Sequence, residues 1–185
     1  MTRSQADEIS LLRKELEEQI AVIEKRMADD QASLQSLKLR LKELINQEKE
    51  RAHYLSSSEI LELIYHHTGK ESNMSTIKRW ADQGFLGEVI DEKEVFWALK
   101  TKQGKKRFLY PKKQVYRFLF DKALIRPRFD ILDRVRISDS KHPNFDEAAV
   151  VVKSGLMEDE FYYTLQTETS FSVVEQVAES WIKPI

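Results

Sequence analysis

The chain has 185 residues, with 30 Lys+Arg against 31 Asp+Glu for a formal net charge of −1, and it contains no Cys. Its length fits one domain or two small ones, and the missing Cys excludes a disulfide framework, a thiolate zinc site and a cysteine nucleophile. No apolar run approaches the roughly 18 residues of a membrane span, and Met1–Glu8 is too polar for a secretory signal, so a cytoplasmic protein is expected.

The net charge is an average over three unlike segments. Residues 1–53 carry 10 basic and 11 acidic side chains, net −1; residues 54–120 carry 12 and 8, net +4; residues 121–185 carry 8 and 12, net −4. The first segment also lacks aromatics, Gly and Pro, whereas a globular core usually draws on aromatic bulk. The sharpest charge feature is Lys100 to Arg128, with 11 basic residues and one acid, Asp121. These shifts divide the chain into residues 1–53, 54–124 and 129–185. The expected fold class is α+β multidomain: a long N-terminal helix or coiled coil, a winged helix-turn-helix and a small antiparallel β-barrel.

In the first segment, Ile9, Leu12 and Leu16 are followed by Ile20, Ile23, Met27, Asp30, Leu34, Leu37, Leu41 and Leu44, stepping by three and four. This spacing makes one apolar seam on a helix, which needs a partner to bury it. Asp30 breaks the seam. A continuous helix paired with a second copy fits the pattern, and so does a hairpin folding near Asp29. The continuous helix is preferred because no Gly or Pro marks a turn. Ile20, Ile23, Met27, Leu34, Leu37, Leu41 and Leu44 are the expected dimerisation residues.

In the second segment, Ser56-Ser57-Ser58-Glu59 has the form of a capping box, and Gly69 ends the helix it starts. A second short helix is expected over 74–83, with Ile77 and Trp80 on one face and Lys78 and Arg79 towards the other. Two short helices joined by a few residues around a Gly match a helix-turn-helix. Glu94–Leu99 and Arg107–Tyr110 are rich in strand formers and flank the basic, Gly-containing stretch 100–107, so a hairpin is expected there. Pro111 then opens a third helix at its first position.

Tyr54-Leu55-Ser56, Thr76-Ile77-Lys78-Arg79-Trp80 with Gly84 and Leu86, and Arg107-Phe108-Leu109-Tyr110-Pro111 together resemble the winged helix-turn-helix of the MerR/excisionase superfamily over residues 54–120. The resemblance implies that helix 74–83 enters the major groove and that wing 100–107 touches the backbone or minor groove of double-stranded DNA. Two departures stand out: the helical arm precedes the domain, and the stretch from Phe85 to Tyr110 is long for a wing. Phosphate contacts need Lys and Arg in a fixed frame, and Lys78, Arg79, Lys102, Lys105, Lys106, Arg107, Lys112 and Lys113 are the candidates. Base reading needs short polar or bidentate groups at the front of the recognition helix, which points to Asn73, Ser75, Thr76 and Lys78. Tyr110 joins this set in a positioning role; like Trp80, it is expected in the core more than as a base stacker.

In the last segment, runs such as Ala148–Val152, Phe161–Gln166 and Phe171–Val177 alternate with turns at His142-Pro143-Asn144, Ser154-Gly155 and Glu168–Ser170. Short strands at this spacing imply a small barrel or sandwich, and their order resembles Tudor- or KOW-like barrels. The net charge of −4 favours a protein partner for it over nucleic acid. Glu158-Asp159-Glu160 is expected to be a solvated turn.

No catalytic constellation, cofactor or metal is expected. His66 and His67 are adjacent on a helix and point about 100° apart, and no phosphate loop or HExxH motif occurs. The expected function is a dimeric, nucleoid-associated double-stranded DNA-binding protein: a transcriptional regulator or a plasmid, phage or transposon accessory factor. The alternatives are an assembly adaptor and RNA binding through the barrel.

Overall fold

The computed structural model describes residues 3–99 and 106–185. The chain divides into two compact units, Met1–Lys49 and Glu50–Ile185.

The first unit belongs to helix α1, Arg3–Arg51. It is continuous through Asp29, so the hairpin alternative does not occur. With no Gly or Pro, nothing in this stretch opposes helical φ/ψ, and Ala28 and Ala32 favour it. At about 1.5 Å per residue, α1 is about 74 Å long. Its seam from Leu16 to Leu41 is apolar and open, with side chains 44–65% exposed.

The second unit is mixed α+β, with two antiparallel sheets. Strand β1 (Tyr54–Ser56) leads into helix α2 (Ser57–Thr68). The Ser56 side chain accepts from Glu59 N while Glu59 accepts from Ser56 N, and Gly69 closes the helix at φ 66°. Both caps match their sequence signals. Helix α3 is Met74–Asp82, followed by strand β2 (Ile90–Asp91) and the short helix α4 (Glu92–Val95). A 3₁₀ turn at Trp97–Leu99 comes next, then strand β3 (Phe108–Pro111) and helix α5 (Lys112–Asp121). Sheet order is β1-β3-β2, with Leu55 opposite Tyr110 and Ile90 opposite Leu109.

The expected strand Glu94–Leu99 is absent. Asp91 instead caps a helical turn, accepting from Lys93 N at 2.9 Å. Phe96 is buried between exposed Val95 and Trp97, which anchors the segment by one ring. The hairpin partner of β3 is the two-residue β2. Pro111 sits one position earlier than expected, as the last residue of β3 and the N-cap of α5.

The remaining strands are β4 (Arg134–Ile137), β5 (Ala148–Met157), β6 (Glu160–Thr167), β7 (Val173–Ala178) and β8 (Ile182–Pro184). Their order is β7-β6-β5-β4-β8: a meander whose last strand returns beside its first. A 3₁₀ turn, Glu179–Trp181, makes that return. Alternate residues of β6 are buried, with Phe161, Tyr163, Leu165 and Thr167 facing inward, as a half-buried strand requires.

The two sheets share one apolar core. Ile60, Ile64, Ile77, Val115 and Leu119 belong to the same buried cluster as Val135, Val151, Phe161 and Leu165. Phe161 joins the halves: its ring centroid lies 5.8 Å from Phe120 and 6.2 Å from His67. The connection after α5 is fixed too. Phe129 N donates to the Tyr163 hydroxyl at 3.2 Å, and Arg128 N to Glu179 at 2.9 Å. Residues 54–124 and 129–185 therefore pack as a single body.

His67 gives this body a pH response. Burial lowers its pKa, the Glu179 carboxylate opposes that, and the charge of His66 adds to the lowering; the net position is below the ordinary imidazole value of 6.5. The unfolded chain then takes up the proton first, so His67 contributes stability that is present above about pH 6.5 and lost as pH falls through the folded value. Urea midpoints at pH 7.5 and 5.5 are expected to drop for the native chain and to drop less for His67→Phe. An equal drop would mean that His67 titrates as it does in the unfolded chain.

Candidate nucleic-acid interface

Helix α3 presents two of the expected phosphate-binding side chains. Ile77 is buried, and Trp80 packs edge-on against Phe118 at 5.1 Å, which turns the opposite face outward. Lys78 and Arg79 are exposed there. Among the described residues no carboxylate pairs with either.

Asn73, Ser75 and Thr76 are together at the front of α3, bonded to one another. Asn73 is the N-cap: its Oδ1 accepts from Thr76 N at 3.0 Å, Ser75 Oγ at 2.6 Å and Thr76 Oγ1 at 3.1 Å. An N-cap of this kind stabilises a helix by about 1 kcal/mol. The sequence signal Asn-x-x-Thr fits capping at least as well as base reading.

At the wing, Lys106 and Arg107 are exposed at the foot of β3, while Lys102 and Lys105 lie outside the described residues. Lys106 Nζ is 3.9 Å from Asp91 and Arg107 Nη1 is 3.4 Å from Glu92. Glu92 is 3% exposed and also holds Arg51 at 2.7 Å. Arg51 in turn donates to the Tyr54 carbonyl at 2.8 Å and to Glu59 at 3.2 Å. Burial draws the Arg51 guanidinium down, but its bonds and charges with Glu92 and Glu59 outweigh this and hold it above its usual value. This knot of Arg51, Glu59 and Glu92 was missed because its members lie far apart in sequence.

Tyr110 is not available to a duplex. Its side chain is 4% exposed and its hydroxyl accepts from Ser57 Oγ at 3.3 Å. It closes the core between β3 and α2.

Lys112 and Lys113 are also not the free cations their sequence run suggests. Lys112 Nζ lies 2.6 Å from Asp159, and Lys113 Nζ lies 3.2 Å from Glu158. Burial pulls the Lys112 ammonium down, and the bond and charge of Asp159 push it further up, to a net raised position. The two acids form the two-residue turn between β5 and β6, where Met157 faces Glu160. Glu158 sits at φ 60°, a left-handed conformation in which a Glu costs about 1 kcal/mol that Gly would avoid. The acidic turn is solvated as expected, Glu158 being 67% exposed, and Asp159 in addition holds Lys112 at the start of α5.

The chain matches no protein-family model and no curated protein. Among the described residues, no helix is long and apolar enough to cross a membrane.

Proposed function

We propose that the protein is a double-stranded DNA-binding protein that self-associates through α1. The Glu50–Ile185 unit is read as a winged helix-turn-helix, formed by α2, α3, α5 and the β1-β3-β2 sheet, joined to a Tudor- or KOW-like barrel. Helix α3 takes the major groove, and the segment between β2 and β3 is the wing. The observation that carries this reading is the outward, acid-free pair Lys78 and Arg79 on a short capped helix packed by Ile77 and Trp80. Lys106 and Arg107 add a second basic point, their ion pairs being exposed on the basic side and therefore weak.

The test is a titration of the full chain into a labelled duplex between about 50 and 200 mM salt, with random duplex and RNA as competitors. Binding is expected to weaken steeply with salt and to resist RNA. A salt-independent signal, or RNA competing better than DNA, would overturn the reading. Equal competition by random duplex would shift it towards an architectural or adaptor protein. Large exposed apolar residues in the connections of the C-terminal half, Leu132 just before β4 and Phe171 between β6 and β7, favour that second reading.

A further inference from the structure

The seam of α1 has one defect, and the position of that defect selects the partner. From Leu16 to Leu44 the seam residues alternate steps of four and three without a break, and Asp30 occupies one of the inward positions. Its apolar neighbours along the seam are open to solvent. A helix with such a stripe is completed by a second helix whose side chains interdigitate with it.

We infer that a second copy of α1 closes the seam in the antiparallel sense, setting Leu16 against the partner's Leu41, Ile20 against the partner's Leu37, Ile23 against the partner's Leu34 and Met27 against the partner's Asp30. This rests on the reading of α1 as a self-association helix and adds its direction and register.

Charge complementarity decides between the two directions. In a parallel pair each residue meets its own copy in the same layer. Asp30 would face the partner's Asp30, with Gln31 beside it and no base from the partner to offset two carboxylates in a drying seam. In the antiparallel register Asp30 faces Met27 and lies beside the partner's Arg26, so the acid gains a counter-charge. The flanking positions agree. Parallel pairing brings together Gln19 with Glu24, Arg26 with Gln31, Ser33 with Lys38 and Arg40 with Ile45, none of them oppositely charged. Antiparallel pairing brings Lys38 beside the partner's Glu17, twice by symmetry, and sets no like charges together. The register centred between Ala28 and Asp29 pairs every seam position from Leu16 to Leu41, whereas a shift of one heptad in either direction sets Arg26 beside an arginine of the partner helix.

The direction determines what the dimer can reach. In a parallel pair the two Lys49 ends lie side by side. In the antiparallel pair they are separated by about 62 Å at 1.5 Å per residue, equal to roughly 18 base pairs at 3.4 Å each. The points where the chain passes into the two Glu50–Ile185 units then lie at opposite ends of the paired helices.

The absence of native Cys makes the test clean, since an introduced thiol is the sole one in the chain. Full-length Leu16→Cys and Leu41→Cys are prepared singly and co-expressed, then treated with a short bismaleimide without DNA. Cross-linked dimer is expected only from the co-expressed pair. Leu41→Cys cross-linking to itself would establish a parallel pair and overturn the inference, as would a native chain that is monomeric by light scattering. A second measurement leaves the seam intact: a spin label on Asn46→Cys, on the outer face of α1. Antiparallel pairing places the labels about 53 Å apart along the axis; parallel pairing places them across a two-helix width. Because no DNA is present, a failure here leaves the DNA-binding reading standing, and a failure to bind DNA leaves the register untouched.

Discussion

Glu92→Ala is expected to lower the melting temperature of the protein by about 10 °C. Glu92 is buried and holds Arg51 at 2.7 Å; the Arg51 side chain is itself mostly covered, at 18% exposed. Removing one partner of such a pair leaves an uncompensated charge and costs about 3–5 kcal/mol. For a chain of this size each kcal/mol moves the midpoint by about 2–4 °C. The Arg107 bond adds little, because Arg107 is 58% exposed. Arg51 retains Glu59 and the Tyr54 carbonyl, which places the effect at the lower part of the range. Glu92→Gln keeps an acceptor for Arg51 and is expected to fall between the native chain and the Ala variant. A melt of Glu92→Ala within about 2 °C of native would show that Arg51 reaches water without help.

Lys78→Ala combined with Arg79→Ala is expected to weaken duplex binding about 100-fold at fixed salt while leaving the melt unchanged. Both side chains are exposed, so folding loses nothing. Two charge-assisted contacts at about 1.5 kcal/mol each amount to roughly two decades of affinity. The slope of log K against log salt is expected to fall by about 1.8, since each phosphate contact contributes about 0.9. Lys141→Ala, in the connection between β4 and β5, serves as a control and is expected to change neither quantity. An unchanged slope in the double variant would remove α3 from the interface.

What the sequence disclosed were features whose partners are near in the chain. The Ser56–Glu59 box closes over three residues, the Gly69 cap over four, and the α1 seam repeats at a fixed step; each is legible from spacing alone. Glu94–Leu99 misled because Val, Phe and Trp favour strands on average, while a single Asp91 side chain bonded to Lys93 N was enough to start a helical turn. The basic run from Lys100 to Arg128 misled in another way. Counting charges along a segment says nothing about acids that fold against it from a distance. Asp159 reaches Lys112 from 47 positions on, and Arg51 reaches Glu92 across 41. Asn73 reads from the sequence as a base-contacting residue, but its type also suits a helix cap, and its hydrogen bonds at the front of α3 are those of a cap.

The turn at Glu158 and Asp159 also bears on how the molecule meets a polyanion. Lys112 carries its own tethered counterion, Asp159, delivered by folding and not drawn from the buffer. A phosphate arriving at the start of α5 gives up its condensed cation, but the carboxylate it displaces takes one up, so the net release is small. Salt that screens the incoming phosphate also screens the resident carboxylate. Lys112 therefore contributes little to any salt slope, and the measurable electrostatics of the protein concentrate on cations that are unpaired or held only by exposed pairs.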